Sequence, residues 1–302
     1  MLFTIAIPTY NSGNSLAAAI DSCVNQSFKD QYETLIVDNA STDNTNYITK
    51  QYEKKVRVVV NSSTLSQFDN HNVCLKESMG EYVVFCHADD CLDYHALDKF
   101  LIVLKQRGFP KKFVVWGRSF FRDFLNNWQN GGFNLNQVAS GIKSIDVFRL
   151  GGLTASGTCY SKEEFLNLGG FLEMQDIMTP SDMSTMWMLC VKGFEFEMTD
   201  RIYVKRNFAS TALLDNRNQV ISSISNAIIV FRNNSTDREF SLVYDSLVNF
   251  NNLINPYLIA ALFISGHKKD GCLKLSLLKF FFKNPLLIFN KRYYFLIYYF
   301  FK

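Results

Sequence analysis

What this chain of 302 residues lacks narrows what it can be. No glycine-rich GxGxxG follows its first apolar run, and no GxxxxGK[ST] occurs anywhere, so neither a dinucleotide-binding fingerprint nor a phosphate-cradling loop is supported. The seven cysteines are odd in number and include no CxxC pair, which reads as reduced thiols in a cytosolic protein. Met1 to Pro8 has no basic segment ahead of its apolar stretch and therefore reads as a first strand, not a signal peptide. With 48% hydrophobic and 20% charged residues the chain can bury a sizeable core, and disorder, collagen and coiled coil are excluded as descriptions of the whole. Its length suits one large domain with an appendage.

Charge is split along the chain. The formal net charge is +3, yet His267 to Lys302 holds eight Lys and Arg against the single acid Asp270, a net of +7, and leaves −4 for the first 266 residues. A mildly acidic body with a basic, aromatic tail argues against a nucleic-acid partner, whose basic patch belongs on the folded domain, and for a membrane surface.

The first hundred residues alternate between two periods. Short β-rich runs at Leu2–Ile7, Glu33–Val37, Val56–Val60 and Tyr82–Cys86 are interleaved with helical spacing at Leu16–Val24, from about Thr42, at Gln67–Ser78 and at Tyr94–Gln106. Strands alternating with helices imply βαβ units, so the fold class is α/β, a mainly parallel central sheet covered by helices on both faces. In such sheets the ligand lies beyond the carboxyl ends of the strands. Three loops after strands are polar in distinctive ways: Pro8-Thr9-Tyr10-Asn11, Asp38-Asn39-Ala40-Ser41-Thr42-Asp43 and His87-Ala88-Asp89-Asp90. With no glycine-rich cradle to meet a pyrophosphate, two adjacent aspartates at a strand end suggest Mg²⁺ or Mn²⁺, which favour carboxylate oxygens and substrate phosphates.

The series IAIPTYN, IVDNASTDNT and GEYVVFCHADD resembles, in order and spacing, the family 2 glycosyltransferases of the GT-A fold over residues 3 to about 110, with weaker similarity in Leu168-Gly169-Gly170-Phe171, Ser181-Asp182 and Lys205-Arg206-Asn207. The resemblance implies a GT-A domain over residues 1–212 followed by a helical region over 213–302. It also implies donor contacts from Pro8, Thr9, Tyr10, Asn39, Ala88 and Asp89, with Asp38 accepting from the uracil imide. Asp89 and Asp90 match the end of the family's DxD motif, which holds ribose and metal, and Asp182 matches the general base on the acceptor hydroxyl. His87 stands where the first Asp of DxD is usual, which makes it a further ligand candidate beside a hydrogen-bonded structural role. Ser181 replaces the usual Glu, and the family's YRxH is reduced to Val204-Lys205-Arg206-Asn207, where Lys205 and Arg206 supply positive charge for the diphosphate.

Each assignment has a plainer alternative. Asp89 and Asp90 can cap the next helix, although Asp93 is also at hand; Asp182 can be a first-turn acid favoured by the helix dipole. His71 lies in a helical stretch and carries no functional claim. Ser161-Lys162-Glu163-Glu164 has the pattern of a capping box with Gly169 as its stop, and Trp116, Trp128 and Trp187 read as core.

From about Asn218 the pattern is helical, roughly at Val220–Phe231, Phe240–Phe263, Leu273–Lys283 and Pro285–Phe301. Tyr293–Phe301 is nine residues without a charge, too short to span a bilayer, which needs about twenty apolar residues. Eleven aromatics lie among the 23 residues from Phe280 to Lys302, and interleaved with lysines they suit a helix lying in a membrane interface, or else packing in a homodimer. The expected protein is an inverting, metal-dependent transferase using a nucleotide sugar, UDP-linked, at the cytoplasmic face of a membrane, with residues 268–302 on that surface and a lipid-linked surface glycan of O-antigen or capsule type as acceptor. A soluble transferase acting on protein or small acceptors and a non-catalytic nucleotide-sugar binder are the alternatives.

Overall fold

The computed structural model describes residues 1–117, 119–122, 128–131, 155–172, 181–199, 205–206 and 217–248. Strands β1 (Phe3–Thr9), β2 (Glu33–Asp38), β3 (Arg57–Val60) and β4 (Tyr82–Phe85) alternate with helices α1 (Leu16–Val24), α2 (Thr45–Gln51), α3 (Gln67–Glu77) and α4 (Ala96–Gln106), as the two sequence periods require. Every residue of β1, β2 and β4 is buried, the condition of parallel strands covered on both faces. Pairing of β1 with β2 and β4, and of β2 with β3, is parallel.

The sheet has seven strands. β6 (Phe113–Gly117) and β10 (Glu195–Thr199) form a second parallel pair, joined to β4 by β9 (Thr158–Ser161), which runs antiparallel to both neighbours. The order is β10-β6-β9-β4-β1-β2-β3. Side chains alternate across it into two cores. Phe3, Ile5, Ile7, Ile36 and Val84 meet Leu16 and Ile20 of α1 and Leu97 and Phe100 of α4 on one face. Ala6, Leu35, Val37, Val83 and Phe85 meet Cys74 and Leu75 of α3 on the other. That second core continues into α5 (Lys162–Asn167), α6 (Ser181–Val191), α7 (Arg217–Asn234) and α8 (Asp237–Val248), where Trp187 meets Phe231 edge-on at 5.8 Å. Trp116 and Trp187 are core; the side chain of Trp128 lies outside the described residues.

A smaller sheet forms beyond the carboxyl end of β4. It orders β5 (Asp90–Cys91), β11 (Lys205–Arg206), β7 (Ser119–Arg122) and β8 (Trp128–Gly131). Sequence periodicity gave no warning of it, because strands of two and four residues are too short to set a period. The expected capping box at Ser161 does not form: its hydroxyl accepts the Phe113 N–H at 3.1 Å, serving the β6–β9 pairing, while Gly169 (φ +91) does end α5. A reciprocal box forms instead at α8, where the Thr236 N–H donates to Glu239 at 2.9 Å and the Glu239 N–H donates back to the Thr236 hydroxyl at 3.3 Å. The expected helix from Phe240 to Phe263 is described as far as Val248, and the two expected later ones lie outside the described residues. The six described cysteines are free thiols.

One carboxylate ties the amino ends of the strands. Glu33, 8% exposed, accepts from the Thr4 hydroxyl at 2.7 Å, the Met79 N–H at 3.0 Å and the Arg57 guanidinium at 2.7 Å. Burial pushes its pKa up, but the Met79, Thr4 and Arg57 bonds outweigh that and hold it below the ordinary 4.5. Gly80 follows directly, pressed on β1: a Cβ there would lie 2.4 Å from the Thr4 nitrogen and 2.6 Å from the Phe3 carbonyl carbon, and both are backbone atoms.

Two outcomes follow. Gly80→Ala must push β1 away from the β4 entry and should cost about 1–3 kcal/mol, the usual range for overpacking, read as a lowered denaturant midpoint. Because folded Glu33 titrates below its unfolded value, its bonds stabilise fully above pH 4.5 and are lost as pH falls through the folded value. Denaturation at pH 6 and pH 3.5 should therefore show a smaller acid loss in Glu33→Gln than in the wild type; equal losses would place the acid sensitivity elsewhere.

Candidate active site

The loops after β1, β2 and β4 leave the sheet side by side, because β1 lies between the other two. Thr9 and Asp38 are register partners, and the Asn39 N–H donates to the Thr9 carbonyl at 2.8 Å. The first two loops are then laced together. The Asn11 N–H donates to the Ser41 hydroxyl, the Ser12 N–H to Thr45 Oγ1, the Gly13 N–H to the Asp43 carboxylate and the Thr42 N–H to Asn11 Oδ1, at 2.8 to 3.0 Å. Asn11 and Ala40 sit at φ +47 and +57, left-handed backbone that only a tightly held loop keeps in non-glycine residues. Asp43 also accepts from the Thr45 N–H at 3.0 Å, and hydrogen bonds from the Thr45 side chain and the Gly13 N–H lower its pKa.

Within this frame the sequence-derived donor residues differ in what they present. Pro8 and Thr9 are buried in β1, and the Thr9 hydroxyl donates to the Ile7 carbonyl at 3.1 Å; Tyr10 is half exposed at the rim. Asp38, 4% exposed, accepts at Oδ1 from the N–H and hydroxyl of Ser41. Asn39 is buried, and its side chain is engaged by the scaffold. Its Oδ1 accepts from the Leu65 N–H at 2.8 Å and from Asn61 Nδ2 at 2.9 Å, and its Nδ2 donates to the Leu65 carbonyl at 2.9 Å. Asn39 therefore fixes the loop after β3 against the loop after β2, so the place of its side chain is in the wall.

After β4 the chain turns at Ala88, with the Asp90 N–H donating to the His87 carbonyl at 3.0 Å. His87 is half-buried, Asp89 exposed and Asp90 3% exposed, and one potential ligand atom from each lies within 4.8 Å of the others. An imidazole nitrogen with two carboxylates is a donor set that fits Mn²⁺ well and Mg²⁺ acceptably. Helix α4 starts from the other acid: Asp93 accepts the His95 N–H at 3.0 Å and the Lys99 ammonium at 2.7 Å. Strand β11 runs antiparallel to β5 with Arg206 opposite Asp90 and Lys205 opposite Cys91, so a basic pair more than a hundred residues away in sequence meets the acidic turn. The side chains of Lys205 and Arg206 lie outside the described residues. So does that of Asp182, whose backbone is in the first turn of α6.

Sequence reasoning missed His71. It is 2% exposed, caged by Phe68, Phe85 and Phe171, with ring centroids 5.2 to 5.4 Å away. Its Nδ1 is 2.7 Å from the Gln67 carbonyl and its Nε2 is 3.0 Å from Nε2 of His87. Burial pushes its pKa down to about 4, so the ring is neutral. The Leu168–Phe171 segment buttresses it: Asn72, next in α3, donates to the Phe171 carbonyl at 2.9 Å and accepts its N–H at 2.8 Å. In the sequence His71 lies in a helical stretch and carried no functional claim; the only signal was a second histidine at the end of the next strand.

The chain is similar to several known proteins. Residues 4–142 match the model of glycosyl transferase family 2. A poly(ribitol-phosphate) β-N-acetylglucosaminyltransferase of Staphylococcus aureus, TarS, is 33% identical over 101 residues, 32% of this chain but only 18% of that protein. The chain thus spans less than a fifth of that curated relative. The crystal structure of TarS residues 1–349 in complex with UDP-GlcNAc superposes with a TM-score of 0.65 at 16% identity, covering 91% of this chain and 83% of that one. A mannosyltransferase from Pyrobaculum calidifontis, in complex with GDP-Man and Mn²⁺, gives 0.61 at 18% identity, covering 98% and 84%. The putative glycosyltransferase EpsE of Bacillus subtilis aligns over 88% of this chain and 93% of its own length at 24% identity. With its three loops at adjoining strand ends, this α/β chain has the GT-A fold of those structures, and its residues 4–142 are similar to glycosyl transferase family 2.

Proposed function

We propose that the protein is an inverting glycosyltransferase that moves a sugar from a nucleotide diphosphate sugar, UDP-linked, to a hydroxyl of a lipid-linked surface glycan of O-antigen or capsule type. The observation that carries this reading is the meeting, at one sheet edge, of the loop of Asp38, the turn of His87, Asp89 and Asp90, and the basic strand of Lys205 and Arg206. TarS with UDP-GlcNAc supports the uridine donor and the polymer acceptor, and the mannosyltransferase with Mn²⁺ supports a cation in a related fold.

In this reading Asp38, at the end of β2, accepts from the base, and Tyr10 covers it from the rim. His87, Asp89 and Asp90 would hold Mn²⁺ or Mg²⁺, which when bound would stabilise the charge of the leaving diphosphate as a Lewis acid. Lys205 and Arg206 add positive charge on the opposite strand. No protein acid is needed on the leaving side. On the other face of the sugar Asp182 takes the proton from the acceptor hydroxyl as its oxygen attacks the anomeric carbon, which inverts that centre. The +7 tail, 268–302 in its basic part, brings the enzyme to the inner face of a membrane, where each Lys or Arg near anionic lipid contributes about 1 kcal/mol. The tail lies outside the described residues, and among those described no helix is long and apolar enough to cross a membrane.

Three measurements test the reading. Asp90→Asn should abolish Mn²⁺-stimulated UDP binding in calorimetry while the protein stays folded; unchanged stimulation would move the cation elsewhere. Asp182→Asn should lower turnover by about 10² to 10⁴ at unchanged donor affinity, the effect of losing a general base. Near-wild-type transfer in that variant rules Asp182 out, and donor binding without hydrolysis or transfer in the wild type leaves a binder, not an enzyme. The intact chain should sediment with anionic vesicles and be partly released by salt, whereas a chain ending at Asp270 should stay in solution and still bind UDP. A full-length protein that ignores vesicles, or a truncation that aggregates, assigns the tail to the folded core or to a dimer.

A further inference from the structure

We propose that His71 is a positioning residue that holds the proton of His87 on Nε2, so that Nδ1 is the nitrogen with which His87 ligates a divalent cation alongside Asp89 and Asp90. The inference rests on the cation reading above and assigns a role to a buried residue that touches neither donor nor acceptor.

Gln67, His71 and His87 form one hydrogen-bonded line. A carbonyl oxygen only accepts, so the 2.7 Å contact between His71 Nδ1 and the Gln67 carbonyl requires the proton of His71 to be on Nδ1. His71 is then left with a lone pair on Nε2, because its cage of Phe68, Phe85 and Phe171 has no room for a charged, doubly protonated ring. Two ring nitrogens 3.0 Å apart make a hydrogen bond only if one carries a proton and the other does not. His87 therefore donates from Nε2, and the lone pair on its own ring lies on Nδ1.

Nothing in this chain of bonds is free to turn over. Gln67 and His71 lie four apart on α3, so helix geometry fixes the first bond. The second is fixed from the other side, since the His87 N–H donates to the Ser156 hydroxyl at 3.0 Å and the Gly157 N–H donates to the Phe85 carbonyl at 2.8 Å. Phe171, locked to Asn72, closes the cage, and a Cβ on Gly170 would lie 2.3 Å from Asn72 Oδ1. A metal-ligating histidine usually donates its second N–H to an acceptor that fixes tautomer and ring orientation. Here the acceptor is a second, neutral imidazole. The arrangement also explains why a histidine can stand where a carboxylate is usual: with its tautomer set, His87 can contribute a neutral nitrogen ligand without a third negative charge in the turn.

Two measurements on the full chain test this. Long-range ¹H–¹⁵N correlation spectra of the metal-free wild type should show His71 protonated at Nδ1 and His87 at Nε2; a proton on Nδ1 of His87 overturns the proposal whatever the variants do. Mn²⁺ alone is then titrated, with the free ion followed by its electron paramagnetic resonance signal. His71→Leu, which has no acceptor, should weaken Mn²⁺ binding by about 10- to 100-fold, the range for losing such an outer partner. His71→Gln, whose amide oxygen can accept from His87, should keep wild-type affinity. Binding that survives His71→Leu in folded protein, or is lost equally in the Gln variant, overturns the positioning role alone. A wild type that binds no Mn²⁺ overturns the cation reading and this inference together, while its metal-independent UDP binding still reports on the donor loop.

Discussion

Strand β1 is buried along its whole length and paired on both sides, and that constraint organises the rest of the molecule. A strand with no free edge and no free face can carry chemistry only where it ends. Its neighbours β2 and β4 run parallel to it, so their carboxyl ends open at the same edge and their loops cannot avoid one another. The backbone groups released there need partners, and the loops supply them to each other, through Asn11 and Ser12 to Ser41, Thr42 and Thr45, and through Asn39 to Leu65. A crevice wall built from mutual hydrogen bonds is preorganised before any ligand arrives, which lowers the ordering cost of binding.

The opposite end of the same strands is fastened by different means. Glu33 gathers Thr4, Arg57 and Met79, and Gly80 lets the chain pass against β1. Position is thus fixed at the amino ends by a buried carboxylate and backbone contact, and at the carboxyl ends by small polar side chains. The first arrangement serves stability alone. At the second, the residues that hold the loops are also the ones the proposed function uses for recognition, and Asp38, bonded to Ser41, stands in both sets.

Much of this was readable from sequence because it rests on period and on punctuation. Continuous apolar runs marked β1, β2 and β4, and the polar residues following each run marked the loops. What escaped had no such mark. Strands β5 and β11 are two residues each, held together by a pairing between positions about 115 apart, and Lys205 and Arg206 could be assigned only through resemblance. His71 sits at a helical position whose neighbours are core, and a buried imidazole that stacks on Phe85 differs from one that bonds His87 only in three dimensions. At Ser161 a familiar local pattern misled, since the hydroxyl went to the strand ladder at Phe113; the working box at Thr236 and Glu239 lay just before the point where the apolar spacing suggested a helix start.

The antiparallel strand β9 has a consequence for how the molecule comes into being. It fills the gap between β4 and β6, bonding to both, yet it lies about 75 residues after β4 in the chain. Until residues 158–161 have left the ribosome, β4 presents an unpaired edge of Tyr82, Val83, Val84 and Phe85, an apolar template for another chain. Closing the sheet also requires a loop of that length, whose entropy must be met before the new contacts form. The half of the fold built on β1 to β4 can therefore collapse early but remains sticky until β9 docks. Expression at low temperature, or with chaperones that shield open edges, should favour soluble protein for that reason.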